Sequence, residues 1–297
     1  ILIFALGLIC LHHGQLITLP FQVTGGEGVP VLFTRRLIEG INPYAVEMMP
    51  TYANGYGQIF YNLLLLPFAY VFGPDLAFHR TASCIAIIVS ISILYFEFRK
   101  VGGNYPLSFN LSLIWWAQVL VLLNPLARVD AIGSMFFLLA IATPHLTNFS
   151  RKGFLAAAIF SVCGFFVKQY FFLSGLVLAI TSFFLIGPMF SIILTTLMVF
   201  LLVTVLIIFS LLFPTYIENS ILIGSNYYAF SLKHLGSQLI HLAKENLFLL
   251  FFVFILVFWN IARLIRHRSP KLKINEFSIN RLKIGAGIIA HYHLFAL

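Results

Sequence analysis

Charged side chains are scarce in this sequence of 297 residues. Asp, Glu, Lys and Arg together make up 9% of it, whereas roughly a quarter of an ordinary soluble domain is charged. Hydrophobic residues make up 61%, and the mean hydropathy is +1.00. This composition excludes a water-soluble protein, and we expect most of the chain to lie in hydrocarbon.

Cysteine and metal-binding patterns are also lacking. The three cysteines lie in apolar segments without CxxC or Cys/His spacing, as is typical of small buried hydrophobic residues. No acidic cluster has metal-ligand spacing, so we assign no metal site and no cofactor, although a divalent metal ion stays compatible with the sequence. The net charge of +9 comes without the basic, aromatic-rich run that a nucleic-acid groove requires. We therefore expect no nucleic-acid partner.

Long apolar runs are abundant. A membrane-spanning helix needs about 20 mostly apolar residues, and the candidate segments are 1–19, 76–97, 107–123, 131–147, 153–167, 170–187, 189–213, 246–262 and a partial one from 283. We predict an all-α, polytopic transmembrane protein with about eight to nine spans, in a single domain over residues 1–297. The chain begins without Met and ends in an apolar stretch, which indicates a fragment lacking its C-terminal part.

One candidate span is ambiguous. The stretch 153–187 is interrupted by Lys168 and Gln169, which predicts two helices joined by a tight turn. One tilted helix followed by a re-entrant segment is the alternative.

The basic residues divide between the two sides of the membrane. Threading the spans alternately puts 11 of the 18 Lys and Arg residues, with two acids, on one side, while seven basic and seven acidic residues lie on the other. Because cytoplasmic loops are rich in Lys and Arg, the first side is assigned to the cytoplasm. Any site that uses carboxylates is therefore expected on the outer face.

The first outer loop, 20–75, is far longer than a helix connection needs. Its segment VLFTRRLIEG has helical character and ends at Gly40, and INPY follows. The apolar segment IFYNLLLLPFAYVFG is too short to span, which predicts an interfacial or re-entrant helix. Such a helix could provide a lateral entrance for a lipid substrate. The other outer loops are 124–130 and 214–245.

The order of these motifs resembles a known superfamily. A first span is followed by an outer-face acid in GGEG, a short helix, GINPY, a P-x-Y-x-x-G-Y segment, an apolar helix ending in FG, and an Arg that opens the second span. Over residues 1–175 this is similar to the C-type (GT-C) integral-membrane glycosyltransferases, which include the protein mannosyltransferases and the aminoarabinose transferase of lipid A.

The resemblance implies a function. It implies transfer of a sugar from a polyprenyl-phosphate or diphosphate donor, with inversion, on the periplasmic face of a bacterial inner membrane. The acceptor would be a lipid, glycan or protein.

The resemblance also implies a catalytic base. In the superfamily, an acid just after the first span acts as the general base, and Glu27 has that place here. The superfamily often has Asp-Glu where this chain has Gly26-Glu27, which leaves open whether Glu27 is the base or the neighbour of a missing one. Independently, a positioned carboxylate can deprotonate an acceptor hydroxyl, and flanking glycines let backbone approach a substrate closely. The alternative is that Glu27 is a solvated loop acid.

Cations at outer span ends suit a phosphate leaving group, because negative charge develops there as the glycosyl bond breaks. Arg80 opens the second span and Arg128 lies in NPLARVD, while Lys168 lies between two apolar runs beside Gln169 and Tyr170. We predict that Arg80, Arg128 and Lys168 bind the donor phosphate. Snorkelling of Arg80 and Lys168 to the interface is the alternative.

Further candidates have weaker support. The resemblance implies that Asp130 is a catalytic residue that binds the acceptor, helps hold a metal or positions Glu27, and that Arg128 contacts the donor phosphate; from the residues alone, the two could form only a local ion pair. The remaining predicted substrate-binding residues are Tyr44, Glu47, Tyr52 and Gln169. An aromatic belt explains the tyrosines equally well, and Glu47 could lie in a surface turn.

A transporter or flippase for a lipid-linked or small polar solute is the rival function. It would place ionisable groups near the middle of the membrane and often shows internal repeats. Here the spans are nearly free of charge away from their outer ends, and the sequence shows no convincing repeat. The composition therefore favours the enzyme.

Overall fold

The computed structural model describes residues 2–48, 58–122 and 125–223, which belong to one compact unit, Ile1–Tyr227. These residues form the helices α1 (Leu2–Thr18), α2 (Gly28–Ile38), α3 (Ile59–Phe72), α4 (Leu76–Lys100), α5 (Tyr105–Leu122), α6 (Asp130–Leu146), α7 (Arg151–Val167), α8 (Leu173–Leu185) and α9 (Pro188–Leu212). No strand occurs within the described ranges, so the all-α prediction is confirmed there. The predicted spans at 246–262 and from 283 lie outside the described residues.

Two of the helices, α4 and α9, are long and apolar enough to cross a membrane. Helix α9 leaves large side chains such as Phe200 and Leu211 exposed, as expected for a helix that contacts lipid. Helices α3 and α6 are also apolar but shorter. The predicted count of eight to nine spans is therefore not confirmed, whereas membrane association agrees with α4 and α9.

Local signals set the helix boundaries. Asp75 caps α4 by accepting a hydrogen bond from the Phe78 amide at 2.7 Å, and Ser150 caps α7 in the same way; both residue types are preferred at this position. Gly40 and Gly73 have φ of 72° and 88°, a left-handed backbone that favours glycine. Helices α2 and α3 therefore end just before them, as the sequence predicts.

Polar contacts gather at one end of the helices, which we call the loop end and define by Arg80, Arg128, Asp130 and Lys168. Lys168 follows α7 directly and donates to the carboxylate of Asp130, at the start of α6, at 2.8 Å. Ser83, in the second turn of α4, donates to the Leu126 carbonyl just before α6, at 2.7 Å. The starts of α4 and α6 and the end of α7 therefore lie together.

The opposite ends of α4 and α6 also meet. Glu97 of α4 contacts the imidazole of His145 in the last turn of α6. The Lys100 ammonium donates to the carbonyl of Leu146 at 2.8 Å. Helices α4 and α6 therefore run in the same direction and α7 runs back, as alternate threading predicts for this part of the chain.

Helices α7 and α8 form a hairpin. The turn Gln169–Phe172 separates them, and Ser174 at the start of α8 donates to Ser161 of α7 at 2.8 Å. The interruption at Lys168 therefore marks two helices joined by a tight turn, as predicted. The alternative that α8, with 13 residues, is a re-entrant segment after a tilted α7 is not tested by these contacts.

The first outer loop is held together internally and is also tied to α9. Asn62 of α3 donates to the Pro30 carbonyl and the Thr34 hydroxyl of α2, both at 2.8 Å. In the INPY segment, Asn42 donates to the carbonyl of Leu212, the last residue of α9, at 2.9 Å. These contacts tie α2 to α3 and the INPY segment to the end of α9.

Candidate functional site

Glu27 lies directly before α2, and its side chain is completely buried. Its Oε1 accepts from Arg80 Nε at 2.8 Å and from the Ala127 amide at 2.9 Å. Its Oε2 accepts from Arg80 Nη2 at 2.9 Å and from the Val23 amide at 2.6 Å. Both oxygens of Glu27 therefore have two close donors.

Arg80 is also completely buried. Besides the two contacts with Glu27, its Nη1 donates to the carbonyls of Leu16 and Leu19 at 2.8 and 2.7 Å, and its Nη2 donates to that of Phe21 at 2.9 Å. An arginine carries five N–H groups, and these five contacts use all of them. The predicted role of Arg80 as a phosphate ligand is therefore corrected, because its guanidinium holds Glu27 and the chain after α1 instead.

The surroundings of Glu27 lower its proton affinity. Burial alone would raise the pKa of Glu27, but the hydrogen bonds from Arg80, Ala127 and Val23 and the charge of Arg80 outweigh it and lower the pKa from 4.5 to about 2. A general base works best with a pKa near the operating pH. Glu27 as the base remains a prediction, which this geometry disfavours, and the solvated-acid alternative is wrong because the side chain is buried.

Asp130 lies in a second, more open cluster. Its Oδ1 accepts from Lys168 Nζ at 2.8 Å and from the Tyr170 hydroxyl at 3.2 Å, and its Oδ2 lies 3.2 Å from Arg128 Nε. The Asp130 and Arg128 side chains are 17% and 42% exposed, and Tyr170 is exposed as well. Unlike the Glu27 side chain, that of Asp130 is partly exposed.

The two clusters share the second outer loop. Ala127 donates its amide to Glu27, and the next residue, Arg128, pairs with Asp130. A Cβ built on Gly26 would lie 3.8 Å from Arg128 Nε. The first and second outer loops therefore meet, as predicted, and the Glu27–Arg80 pair fixes the backbone beside Arg128.

A glycine in α6 brings the turn after α7 close to Asp130. A Cβ on Gly133 would lie 2.0 Å from the ring of Phe171, which is fully buried. The Phe171 amide donates to the Lys168 carbonyl at 3.0 Å. The contact between Phe171 and Gly133 therefore holds the short turn that carries Lys168 and Tyr170 close to α6.

Gln169 points to a third segment. Its side-chain amide donates to the Ser220 carbonyl at 2.8 Å, within the π-helical turn Glu218–Ile223. The predicted outer segment 214–245 therefore reaches the Asp130 cluster through Gln169, while residues 224–245 lie outside the described residues. In this structure Gln169 binds backbone, and its substrate-binding role remains a prediction.

Two of the other predicted substrate ligands, Tyr44 and Glu47, do not join this cluster. Tyr44 is fully buried and packs edge to face against Phe33, Phe213 and Tyr216. Its prediction as a sugar-stacking residue is corrected, because its ring belongs to the core. Glu47 is exposed on the single turn Val46–Met48, and Tyr52 lies outside the described residues.

Tyr170 is a residue of the Asp130 cluster that the sequence did not predict as a site residue. Its hydroxyl lies 3.2 Å from Asp130 Oδ1, and its ring lies 4.9 Å from Lys168 Nζ. The one available signal was its place at the helix break beside Lys168. An aromatic residue there is also what a membrane interface favours.

Within the described ranges, no group of three or more His, Cys, Asp and Glu residues is arranged to hold a metal ion. Metal dependence therefore remains untested. In comparisons with protein-family models, curated proteins and solved structures, nothing matches this chain. The structure therefore shows a helical chain with a partly exposed cluster of Asp130, Lys168 and Arg128 at one end of apolar helices.

Proposed function

We propose that this chain is a membrane glycosyltransferase of the GT-C kind. It would move a sugar from a polyprenyl-phosphate or diphosphate donor to a lipid, glycan or protein acceptor. The loop end would face the periplasm of a bacterial inner membrane. The motif order of residues 1–175 and the excess of basic residues in the opposite loops support this proposal.

One observation carries the proposal: a partly exposed carboxylate, Asp130, lies between two cations, Arg128 and Lys168. Transfer from a phosphate requires a base for the acceptor hydroxyl and positive charge for the leaving group. This cluster supplies both at the end of apolar helices, where a lipid-linked donor would present its headgroup. Burial would raise the pKa of Asp130, but the charges of Lys168 and Arg128 lower it, as Arg80 does for Glu27. Asp130 replaces Glu27 as our proposed base because its side chain is partly exposed, whereas that of Glu27 is completely buried.

The proposed step is a single inverting displacement. The acceptor oxygen attacks the anomeric carbon on the side opposite the phosphate. A new C–O bond forms while the bond between the anomeric carbon and the phosphate oxygen breaks, and that electron pair leaves with the phosphate. The hydroxyl proton passes to Asp130, while Arg128 and Lys168 stabilise the charge that grows on the phosphate.

Glu27 and Arg80 are positioning residues in this scheme. Their ion pair fixes the Ala127 amide and the carbonyls of Leu16 and Phe21. It thereby joins the end of α1, the start of α4 and the loop that carries Arg128. The base and the phosphate ligands keep their places because this buried pair keeps their backbone in place.

Transfer assays on reconstituted full-length protein test the proposal. Liposomes would carry defined polyprenyl-phosphate sugars, and the product would be measured by mass spectrometry. We expect Asp130→Asn to lower kcat by about 10²- to 10⁴-fold, the usual contribution of a general base. Glu39→Gln is the matched control, because Glu39 pairs with Arg36 on the exposed face of α2, and it should keep the wild-type rate.

Two results would overturn the proposal in different ways. If Asp130→Asn keeps the wild-type rate, Asp130 is not the base. If the wild-type protein takes up a small solute or moves the lipid-linked sugar across the membrane without making a glycosyl product, the protein is a transporter or flippase.

A further inference from the structure

Two hydrogen-bond donors and one further cation of the Asp130 cluster converge on one anionic group. The Lys168 ammonium and the Tyr170 hydroxyl lie 2.8 and 3.2 Å from Oδ1, and the Arg128 guanidinium lies 3.2 Å from Oδ2. Two cations and a hydroxyl around a carboxylate are also the donor set that binds a phosphate, since both anions accept charge-assisted hydrogen bonds. The Tyr170 hydroxyl has one O–H and can donate to only one of the two anions, and each cation that turns to a phosphate neutralises less of the charge on the carboxylate.

We infer that Asp130 and the donor phosphate compete for Arg128, Lys168 and Tyr170, so that phosphate binding displaces the Asp130 carboxylate and makes it available to the acceptor. The ligand is a phosphate monoester or diphosphate. Its identity as the sugar donor rests on the proposed function. The competition itself depends only on the charges of the cluster.

Exposure shows which side of the cluster can exchange partners. Arg128 is 42% exposed, and Tyr170 is exposed beside it, so both can turn to an incoming anion. Lys168 is only 10% exposed and lies at the end of α7, where it can bind a phosphate that comes to it. Asp130 is in the first turn of α6, where the helix dipole favours negative charge of either kind.

The competition predicts an order of events. With both cations on it, the Asp130 carboxylate is a poor proton acceptor, because a positive neighbour favours the charged form. When the phosphate takes those cations, the proton affinity of Asp130 rises. Donor binding therefore precedes activation of the acceptor, and the base works only when a sugar is in place to be transferred.

Phosphate-binding measurements distinguish competition by Asp130 from a role in which Asp130 only orients the two cations. If Asp130 competes with phosphate, Asp130→Asn removes the competing charge and strengthens phosphate binding, although the same change lowers kcat. If Asp130 only orients the cations, Asp130→Asn weakens phosphate binding. The two roles thus change the dissociation constant in opposite directions.

The experiment is calorimetric titration of the full-length protein in neutral detergent with farnesyl phosphate and, separately, with inorganic phosphate. We expect Asp130→Asn to bind farnesyl phosphate about tenfold more tightly, the order of change that one carboxylate beside a cation produces. Tighter binding of inorganic phosphate as well would show that the headgroup suffices. Glu39→Gln, at an exposed ion pair away from the cluster, should bind like the wild type.

Unchanged or weaker binding of both phosphates by Asp130→Asn would overturn the inference. Asp130→Ser is a second test: it removes the same charge and should also bind farnesyl phosphate more tightly than the wild type. Arg128→Gln, which changes an exposed side chain, should weaken farnesyl phosphate binding in the wild-type background, and unaltered binding would also contradict the inference.

The proposed function can fail separately. Suppose that the wild-type protein makes no glycosyl product but the Asp130→Asn variant binds phosphate more tightly. The competition at the phosphate site would then be supported, and the proposed enzymatic function would be rejected. If the wild-type protein makes product but the variant does not bind phosphate more tightly, the enzymatic function would be supported and the competition would be rejected.

Discussion

Arg80 holds both oxygens of Glu27, at 2.8 Å from Nε to Oε1 and 2.9 Å from Nη2 to Oε2, with neither side chain exposed. The two residues are 53 positions apart in the sequence. Their pairing joins the first outer loop to α4 and defines what each residue can do. Removing one partner of such a pair leaves the other charge buried and unpaired, which strongly destabilises the folded protein.

Glu27→Gln should lower the free energy of unfolding by about 3–5 kcal/mol, because it leaves the Arg80 charge buried and uncompensated. Thermal unfolding in detergent measures the effect. Glu39→Gln breaks an exposed ion pair on the same loop and should cost about 1 kcal/mol or less. Equal melting temperatures for Glu27→Gln and the wild type would contradict the buried pair.

The pH dependence of stability has a defined sign. Because folding lowers the pKa of Glu27 from 4.5 to about 2, its contribution is fully present above pH 4.5 and is lost as the pH falls through about 2. The difference in unfolding free energy between the wild type and Glu27→Gln should therefore stay constant near neutral pH and shrink between pH 4.5 and 2. A difference that already shrinks near neutral pH would indicate a raised pKa, as a catalytic base would have.

Gly133→Ala should disturb the site through Phe171. The added Cβ would lie 2.0 Å from the Phe171 ring, so the turn that carries Lys168 and Tyr170 must move. We expect weaker farnesyl phosphate binding in titration calorimetry. Gly14→Ala is the matched control, because Gly14 is also helical and has no heavy atom within 4 Å of an added Cβ; equal binding by the two variants would exclude this steric effect.

Tyr44→Ala should act on stability and leave substrate affinity unchanged. Removing a buried aromatic ring costs about 3–5 kcal/mol, and Tyr44 is surrounded by Phe33, Phe213 and Tyr216. Tyr70→Ala, at an exposed position of α3, should leave the melting temperature nearly unchanged. A higher KM for the sugar donor in Tyr44→Ala, without loss of stability, would restore the sugar-stacking prediction.

Cysteine labelling tests the threading. In a background without Cys10, Cys84 and Cys163, new cysteines at Tyr170 and Lys152 lie at opposite ends of the α7 region and at exposed positions. A membrane-impermeant maleimide should label Tyr170→Cys in intact spheroplasts and Lys152→Cys only in inverted vesicles. Labelling of both from the same side would contradict the predicted orientation.

Helix positions could be predicted from the sequence because their causes are local. Gly40 and Gly73 follow the ends of α2 and α3 with a left-handed backbone that depends on the glycine itself. Lys168 interrupts an apolar run, which is visible in the sequence whatever that run packs against. The meeting of the first two outer loops was also predictable, since alternate threading puts both on one side. These properties depend on composition and order along the chain.

The roles of Arg80, Glu27 and Tyr44 could not be predicted in the same way. Whether a buried arginine binds phosphate depends on where the carbonyls of Leu16, Leu19 and Phe21 point, and no pattern of side chains encodes that. Tyr44 could equally have been interfacial, because a tyrosine suits a core and a membrane surface alike. Tertiary packing decided each case.

The hydrogen bond from Asn42 to the Leu212 carbonyl joins residues 170 positions apart, and this separation sets a time order during synthesis. INPY leaves the ribosome well before its acceptor has been made, since chains emerge at about 5–20 residues per second. The part of the first outer loop that contains INPY must therefore stay without this contact until the end of α9 has been made. A nascent chain arrested before α9 should expose this loop to protease, whereas release of the complete chain should protect it.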